Sequence, residues 1–523
     1  MTIETQARPA QDALLGKLRA ALGNGAVKTD PAALAALASD VYGTGGLPLA
    51  ALRPETVADM QEAVRICAAE KLAMVPRGGG ASYTDGYLVP RGGHVIVDTG
   101  ALADIAIDLE NAIVTVGAGT TWAALKAALD AQGMRTPFWG PFSGLAATVG
   151  GSMSQNTLSH GSTAHGISAQ SALGFDVVTA SGEVLVTNAA DTVRFYGPDL
   201  TGLFTGDCGA LGIKVRVRLP LLPALSAFEA LSFAFDDFAA YHKGMRLAQL
   251  ARLDDSHFGI DLALSQGQIA RQEGLNARLQ IAGQVWRRSP SKAKAIKTLL
   301  RMAVAGENPM RAGAFMGHFI VEGFDAQDAA HRARHLRQLL GGIGREIANT
   351  VPSFVRSVPF APLFNILGPG GERWVPLHGV LAHDKAVAFD GAFRALLARR
   401  KDDMDRHGVW IGTMFSPVGP SGFLYEIALY WPDARTAYHD TVLPQSHLAA
   451  IATYPAAPDA RAFVDVLKNE IIAEMQAFGA AHFQIGRAYP YRERLSPGAQ
   501  ALLRSIKAEL DPDGLMNPGV LGL

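Results

Sequence analysis

Cysteine is scarce in this chain. Two residues, Cys67 and Cys208, in a length of 523 leave no basis for a disulfide framework and no metal-type Cys spacing. Charge of either sign is not in excess. The formal net charge is −1, from 47 basic and 48 acidic residues, which removes the electrostatic ground for a nucleic-acid or anionic-membrane partner. Long apolar runs are missing as well, and none approaches the roughly 20 residues needed to cross a bilayer. The opening stretch MTIETQARPAQDALLGKLRAAL lacks a basic start followed by an apolar core. It reads as a polar tail entering a helix rather than a signal peptide, and a reducing, cytoplasmic setting is expected.

What remains is apolar and glycine-rich. Apolar residues make up 49% and charged residues 18% of the chain, the composition of a soluble globular protein with filled cores. The length predicts two or three domains. Residues 54–72 have helical spacing, with apolar positions at Val57, Met60, Val64, Ile66 and Cys67. AMVPRGG, GHVIVDTG and NAIVTVGAG read as short strands bounded by glycine. TTWAALKAALDAQGM is a predicted helix, capped by Thr120 or Thr121 and ended near Gly133. DVVTASGEVLVT reads as a hairpin with Ser181–Gly182 at its tip.

From residue 226 to about 470 glycine loops thin out. Amphipathic helices dominate, namely SKAKAIKTLLRMA, DAAHRARHLRQLL, FDGAFRALLARRKDDMDRHG and ARAFVDVLKNEIIAEMQAFG, with strands such as GFLYEIALYW between them. The end of the chain, AELDPDGLMNPGVLGL, is apolar and turn-rich, so it is expected to be tied down rather than frayed. The fold class is α+β, with residues 1–225 as a first domain and 226–470 as a second.

Glycine runs after short strands let backbone amides approach an anion. RGGGASYTDG is not a P-loop, because no G-x-x-x-x-G-K-[ST] occurs, and it does not fit G-x-G-x-x-G; GAGTTW lacks the third glycine of that fingerprint. A single such loop is explained by turn chemistry. Several of them between residues 76 and 213 are more than turns require and suit a long pyrophosphate ligand.

Four blocks, PRGGGASY (76–83), LAATVGGSMSQN (145–156) with GFDVVTASGEV (174–184), LFTGDCGALGI (203–213) and DPDGLMNPGVLG (511–522), resemble the FAD-linked oxidoreductases of the vanillyl-alcohol oxidase and p-cresol methylhydroxylase type. Their order and spacing also match. The resemblance covers roughly the first 225 residues and the last 50. It implies a two-part FAD-binding domain, to which residues 471–523 return, and an α+β substrate, or cap, domain. It also implies that the anion is the FAD pyrophosphate. The first loop, Pro76 and Arg77, Gly78, Gly79, Gly80, Ala81 and Ser82, would hold it by backbone amides, as would Thr148, Val149, Gly150, Gly151 and Ser152, with Asn156 beyond them. Gly206, Cys208, Gly209, Gly212 and Ile213 would lie along the adenosine side, and Asn517 and Gly519 would close over the flavin.

Some relatives bond the flavin covalently to a histidine. Gly80 stands at one such position, and SGFLYEIALYW, with Tyr425 near the other, has no histidine, so dissociable, non-covalent FAD is expected. The activity implied is hydride transfer to the flavin from an aromatic donor, a 4-alkylphenol or a benzylic or allylic alcohol, as in aromatic compound catabolism. Tyr83 matches the family's phenolate-binding tyrosine. Tyr425, Arg487 and Tyr489 are the remaining candidates around the substrate. The family's acid near flavin N5 has no counterpart in WGPFSGLAATVGG, where Phe142 falls near that place. A D-2-hydroxy-acid dehydrogenase is the alternative, with Arg487 as carboxylate clamp, although that branch's histidine-rich metal segment is absent and no metal is expected. A flavin-dependent lyase on the same fold is a further alternative. The implied partners are a small-molecule substrate and an electron acceptor, dioxygen or a redox protein, with a homodimer common in the family.

Overall fold

The structure is a computed structural model, and it describes residues 3–188, 192–266 and 313–523. Two small sheets build the first part. In one, the order is β1 (Val27–Lys28), β2 (Ala50–Leu52), β4 (Val95–Asp98) and β3 (Met74–Arg77), with β2, β4 and β3 parallel. The helix Val57–Ala69 links β2 to β3. It starts where Thr56 and Asp59 form a reciprocal capping box and buries Met60, Val64 and Cys67.

The second sheet is antiparallel, in the order β5 (Ile105–Asp108), β6 (Ile113–Gly117), β10 (Ile213–Pro220), β8 (Gly174–Val178) and β9 (Val184–Val186). β8 and β9 are the hairpin expected around Gly182, whose φ of 78° explains the glycine. Thr121, not Thr120, caps the helix Trp122–Asp130. A two-stranded pair joins β7 (Met134–Arg135) to β11 (Leu222–Pro223). The chain end docks beside β3, where the Met74 amide donates to Leu515 O (2.7 Å) and the Asn517 amide to Met74 O (2.8 Å). The anchored C-terminus read from composition is therefore present.

The second part is one seven-stranded antiparallel sheet. Its order is β15 (Arg345–Ile347), β12 (Ala227–Phe235), β14 (Phe315–Gly323), β13 (Ser256–Asp261), β17 (Trp410–Val418), β18 (Gly422–Trp431) and β16 (Arg373–Ala382). Side chains alternate across a pleated strand. Odd-numbered residues, Phe233, Phe319, Phe415, Phe423, Tyr425 and Leu429 among them, form one buried cluster. That cluster lies beneath the helices Phe238–Ala251, Ala326–Leu340, His383–His407 and Pro458–Ala477. Even-numbered residues of β13, β16, β17 and β18 face the other way, toward the first part. Three of the four predicted helices fall within these elements; SKAKAIKTLLRMA lies outside the described residues. No helix among the described residues is long and apolar enough to cross a membrane.

Candidate functional site

A cavity of about 270 Å³ runs between the two parts. Its floor is backbone. The loop of residues 77–82 packs on residues 146–148 so closely that a Cβ on Gly78 would meet Thr148 Oγ1 and one on Gly79 would meet the Ala146 carbonyl; a Cβ on Gly209 would meet the Pro76 ring. The three glycine loops are thus wedged together. Gly80 (φ 68°), Gly209 (74°) and Gly212 (155°) supply turns that side chains resist.

The first glycine loop carries the longest run of free donors on this floor. Among the described residues, the amides of residues 78–82 donate to no protein acceptor. Those of the next loop are already used. Val149 N donates to Thr120 O (2.8 Å), Gly150 N to Ala118 O (2.9 Å), Gly151 N to Thr148 Oγ1 (3.2 Å) and Ser152 N to Thr148 O (2.9 Å). The first loop presents donors, and the second gives the floor its shape. Arg77 leans on Tyr87 at 5.2 Å, and its Nε is buried without a partner. Lys214, at the same wall, is ion-paired to buried Asp207 at 2.5 Å.

The roof is side chain. Ser256, Phe258, Met414, Ser416, Leu424 and Glu426 come from the even face of the sheet, and Trp374 from β16; Tyr83, Phe142, His160 and Gln484 complete the chamber. Tyr83 packs edge-on against Trp374 and His378, and its OH lies 3.2 Å from His378 Nε2. Burial, and then the charges of Glu426 and Tyr489, push the Tyr83 phenol well above its usual range, so it stays a neutral donor. Glu426 is pushed up to about 7 by burial. His160 and His378 are pushed down to about 4 and about 3, mainly by burial, and remain neutral imidazoles. His160 is fixed by a 2.8 Å contact from Nε2 to Pro359 O and by stacking on Trp139.

Comparison with known proteins agrees with this layout. Residues 48–188 match the FAD binding domain family, and residues 485–521 match the C-terminal domain of FAD linked oxidases. The fold is similar to p-cresol methylhydroxylase with substrate bound, at a TM-score of 0.71 and 20% identity, covering 98% of this chain and 96% of that one. It is also similar to the 4-ethylphenol oxidase of Gulosibacter chungangensis in its isoeugenol complex, at 0.68 and 17%, covering 98% and 97%. The chain thus carries an FAD binding domain and the C-terminal domain of FAD linked oxidases, in the fold of p-cresol methylhydroxylase.

Family members are FAD-dependent oxidases and dehydrogenases. Curated relatives include the glycolate oxidase subunit GlcD of Bacillus subtilis (strain 168), 27% identical over 37% of this chain and 41% of that protein. Cytokinin dehydrogenase 1 of Oryza sativa subsp. japonica is 28% identical over 45% and 44%. The mitochondrial D-2-hydroxyglutarate dehydrogenase of Arabidopsis thaliana is 29% identical over 37% and 34%. The matched stretches span less than half of each of these relatives.

The floor fits FAD as this family would hold it. Successive unpaired amides of residues 78–82 suit a pyrophosphate, and the wedged glycines leave the backbone bare. Of the residues expected at the cofactor, Pro76 to Ser82, Thr148, Gly150, Gly151, Ser152, Cys208, Gly209, Gly212 and Ile213 line the cavity.

Five expected residues do not. Val149 is buried in the hydrophobic core of the first part. Asn156 ends its helix in the left-handed region (φ 51°) and packs against Gly206, which is held by Met153 O. Asn517 lies behind the floor, its Nδ2 donating to Gly86 O and Cys208 O at 2.8 and 2.6 Å. Gly519 sits beside Arg487. These residues rivet the loops together from behind.

Three of the four substrate candidates also need correction; Tyr83 alone reaches the chamber. Tyr425 points into the helix-covered core, where its OH donates to Asp390 at 2.7 Å, because odd residues of β18 face away from the cavity. Arg487 donates to Asp85 O, Asn517 Oδ1 and Pro518 O at 2.7–2.8 Å and is spent on holding the chain end. Tyr489 is buried behind His378, accepting its amide at 3.0 Å. Glu426, His378, Trp374 and Phe258 were missed. One signal was available for Glu426: it is the single charge in the otherwise apolar strand GFLYEIALYW.

Proposed function

We propose that this chain is an FAD-dependent oxidoreductase that removes hydride from an aromatic donor, a 4-alkylphenol or a benzylic or allylic alcohol. One observation carries the reading: the chamber beyond the glycine floor is walled by Tyr83, Phe142, Phe258, Trp374 and Met414. Flat apolar rings and a soft thioether favour an aromatic ring over a small hydrophilic acid. The amides of residues 78–82 would hold the FAD pyrophosphate, with Cys208, Gly209 and Gly212 along the rest of the cofactor. The bound flavin supplies the hydride acceptor. The protein's part is to orient the donor between the aromatic walls, to exclude water beneath the cap sheet, and to offer neutral hydrogen bonds from Tyr83 and Gln484. Arg487 is committed elsewhere, which weakens its use as a carboxylate clamp.

Non-covalent FAD is part of the proposal. Gly80 offers no side chain, and β18 turns Leu424 and Glu426, not a histidine, toward the cavity. The test is to precipitate the purified protein with acid and then to mix fresh protein anaerobically with candidate donors. FAD in the supernatant and flavin bleaching by aromatic donors are expected. A yellow pellet would overturn the non-covalent reading, and bleaching by glycolate or D-lactate alone would overturn the aromatic one.

A further inference from the structure

Glu426 is the one acid among the described residues that line the cavity. Its neighbours across the sheet are His378 on β16 and Met414 on β17, so the three side chains stand in one row on the chamber face. The cations of the cavity are occupied at the floor, Lys214 by Asp207 and Arg77 by the Tyr87 ring. Among the described residues no cation is paired with Glu426, and burial alone raises its carboxyl. The titratable groups around it are the Tyr83 and Tyr489 phenols and the His378 imidazole, all held neutral.

Tyr83 reports the field of this chamber. A phenol at its wall is driven away from ionisation by burial and by the Glu426 charge, and a substrate phenol placed there meets the same field. His160 is tied to Pro359 O through Nε2 and His378 to Tyr83 through Nε2, while His257 is held by Asp254 through Nδ1 and packs against Phe319 on the odd face of the sheet. We propose that Glu426 accepts the donor's proton, and that the chamber takes a neutral aromatic alcohol in preference to a phenolate.

This rests on the aromatic-donor reading above and narrows it. The carbinol C–H bond breaks with its electron pair leaving as hydride to the flavin. The O–H proton passes to the Glu426 carboxylate, and the carbinol carbon becomes a carbonyl. A carboxyl group poised near neutrality is matched to that transfer.

The test uses the FAD-loaded protein, Glu426→Gln and Glu426→Asp, with 4-methoxybenzyl alcohol and 4-ethylphenol as donors. In Glu426→Gln the anaerobic bleaching rate with the alcohol is expected to fall about 10²-fold. The rise of that rate through neutral pH should vanish while FAD content stays the same. Glu426→Asp should recover part of the rate. A second readout is independent of turnover: 4-nitrophenol bound to the wild type should show the spectrum of the neutral phenol, with more phenolate in Glu426→Gln. Bound phenolate in the wild type, or a Glu426→Gln rate within twofold of wild type, would overturn the proposal. Bleaching by 4-ethylphenol but not by the alcohol would overturn it and leave the aromatic-donor reading standing. Bleaching by neither would remove both.

Discussion

The floor and the roof of the cavity are made of different materials. The floor is backbone: glycine loops pressed so close that side chains are excluded, with amides of residues 78–82 left to donate. The roof is side chain: a sheet whose odd face is sealed by helices and whose even face selects what enters. A backbone site is specified by where side chains must be absent. A side-chain site is specified by which of two faces each residue takes, and a slip of one residue reverses the answer.

The floor should be the less forgiving of the two. Arg487 ties it to the chain end through three acceptors. Removing the guanidinium strands three half-buried oxygens, each costing about 1 kcal/mol, the low end of the range for a lost buried partner. Arg487→Ala is therefore expected to lower unfolding stability by about 3–4 kcal/mol, with Arg487→Lys recovering little because lysine lacks the planar fork. If Arg487 clamped substrate instead, urea unfolding would be unchanged and only KM would rise.

Gly79→Ala comes next. Its methyl would fall on the Ala146 carbonyl, a backbone atom that cannot step aside. Overpacking of about 1–3 kcal/mol at the donor loop should weaken FAD binding about 10- to 100-fold, measured as flavin retained on dialysis. Gly498→Ala, which meets nothing within 4 Å, is the control and should leave flavin content unchanged.

These two regions were unequally legible. PRGGGASY, TVGGS and GDCGALG announce the floor because glycine at a wedge has no substitute. Even there, nothing in the pattern of residues tells that the Val149–Ser152 amides are internally satisfied or that Asn517 works from behind. The roof was harder to read. β12, β14 and β16 pair with strands distant in sequence, and neither AFEALSFAF nor RWVPLHGVLA shows clean polar alternation, because the even face looks into an aromatic chamber rather than into water. The resemblance singles out Tyr425 because it falls near the family's flavin-linking position, yet the large apolar residues at 423, 425, 427, 429 and 431 already mark the odd face as core.

Tyr425→Phe tests that reading of the faces. It removes one buried hydrogen bond to Asp390, which also holds Arg394 at 2.7 Å. A loss of about 1–2 kcal/mol in stability is expected, with anaerobic flavin reduction within twofold of wild type. A large loss of rate with unchanged stability would put Tyr425 back at the substrate.

Glu426→Gln gives the smallest stability change, and its sign separates it from the others. Burial raises the folded-state carboxyl from 4.5 to about 7, so the folded protein holds the proton more tightly than the unfolded chain. That contribution is fully present below about pH 4.5 and is lost as pH rises through 7. The full shift sets a ceiling of about 3 kcal/mol, and opening onto the cavity reduces it to about 1 kcal/mol. A neutral amide avoids the loss. Glu426→Gln should therefore match wild type in urea unfolding at pH 5 and exceed it by about 1 kcal/mol at pH 8. A variant less stable at pH 8 would mean that the carboxylate has a stabilising cation partner, and the roof would then be a structural ion pair rather than a reactive wall.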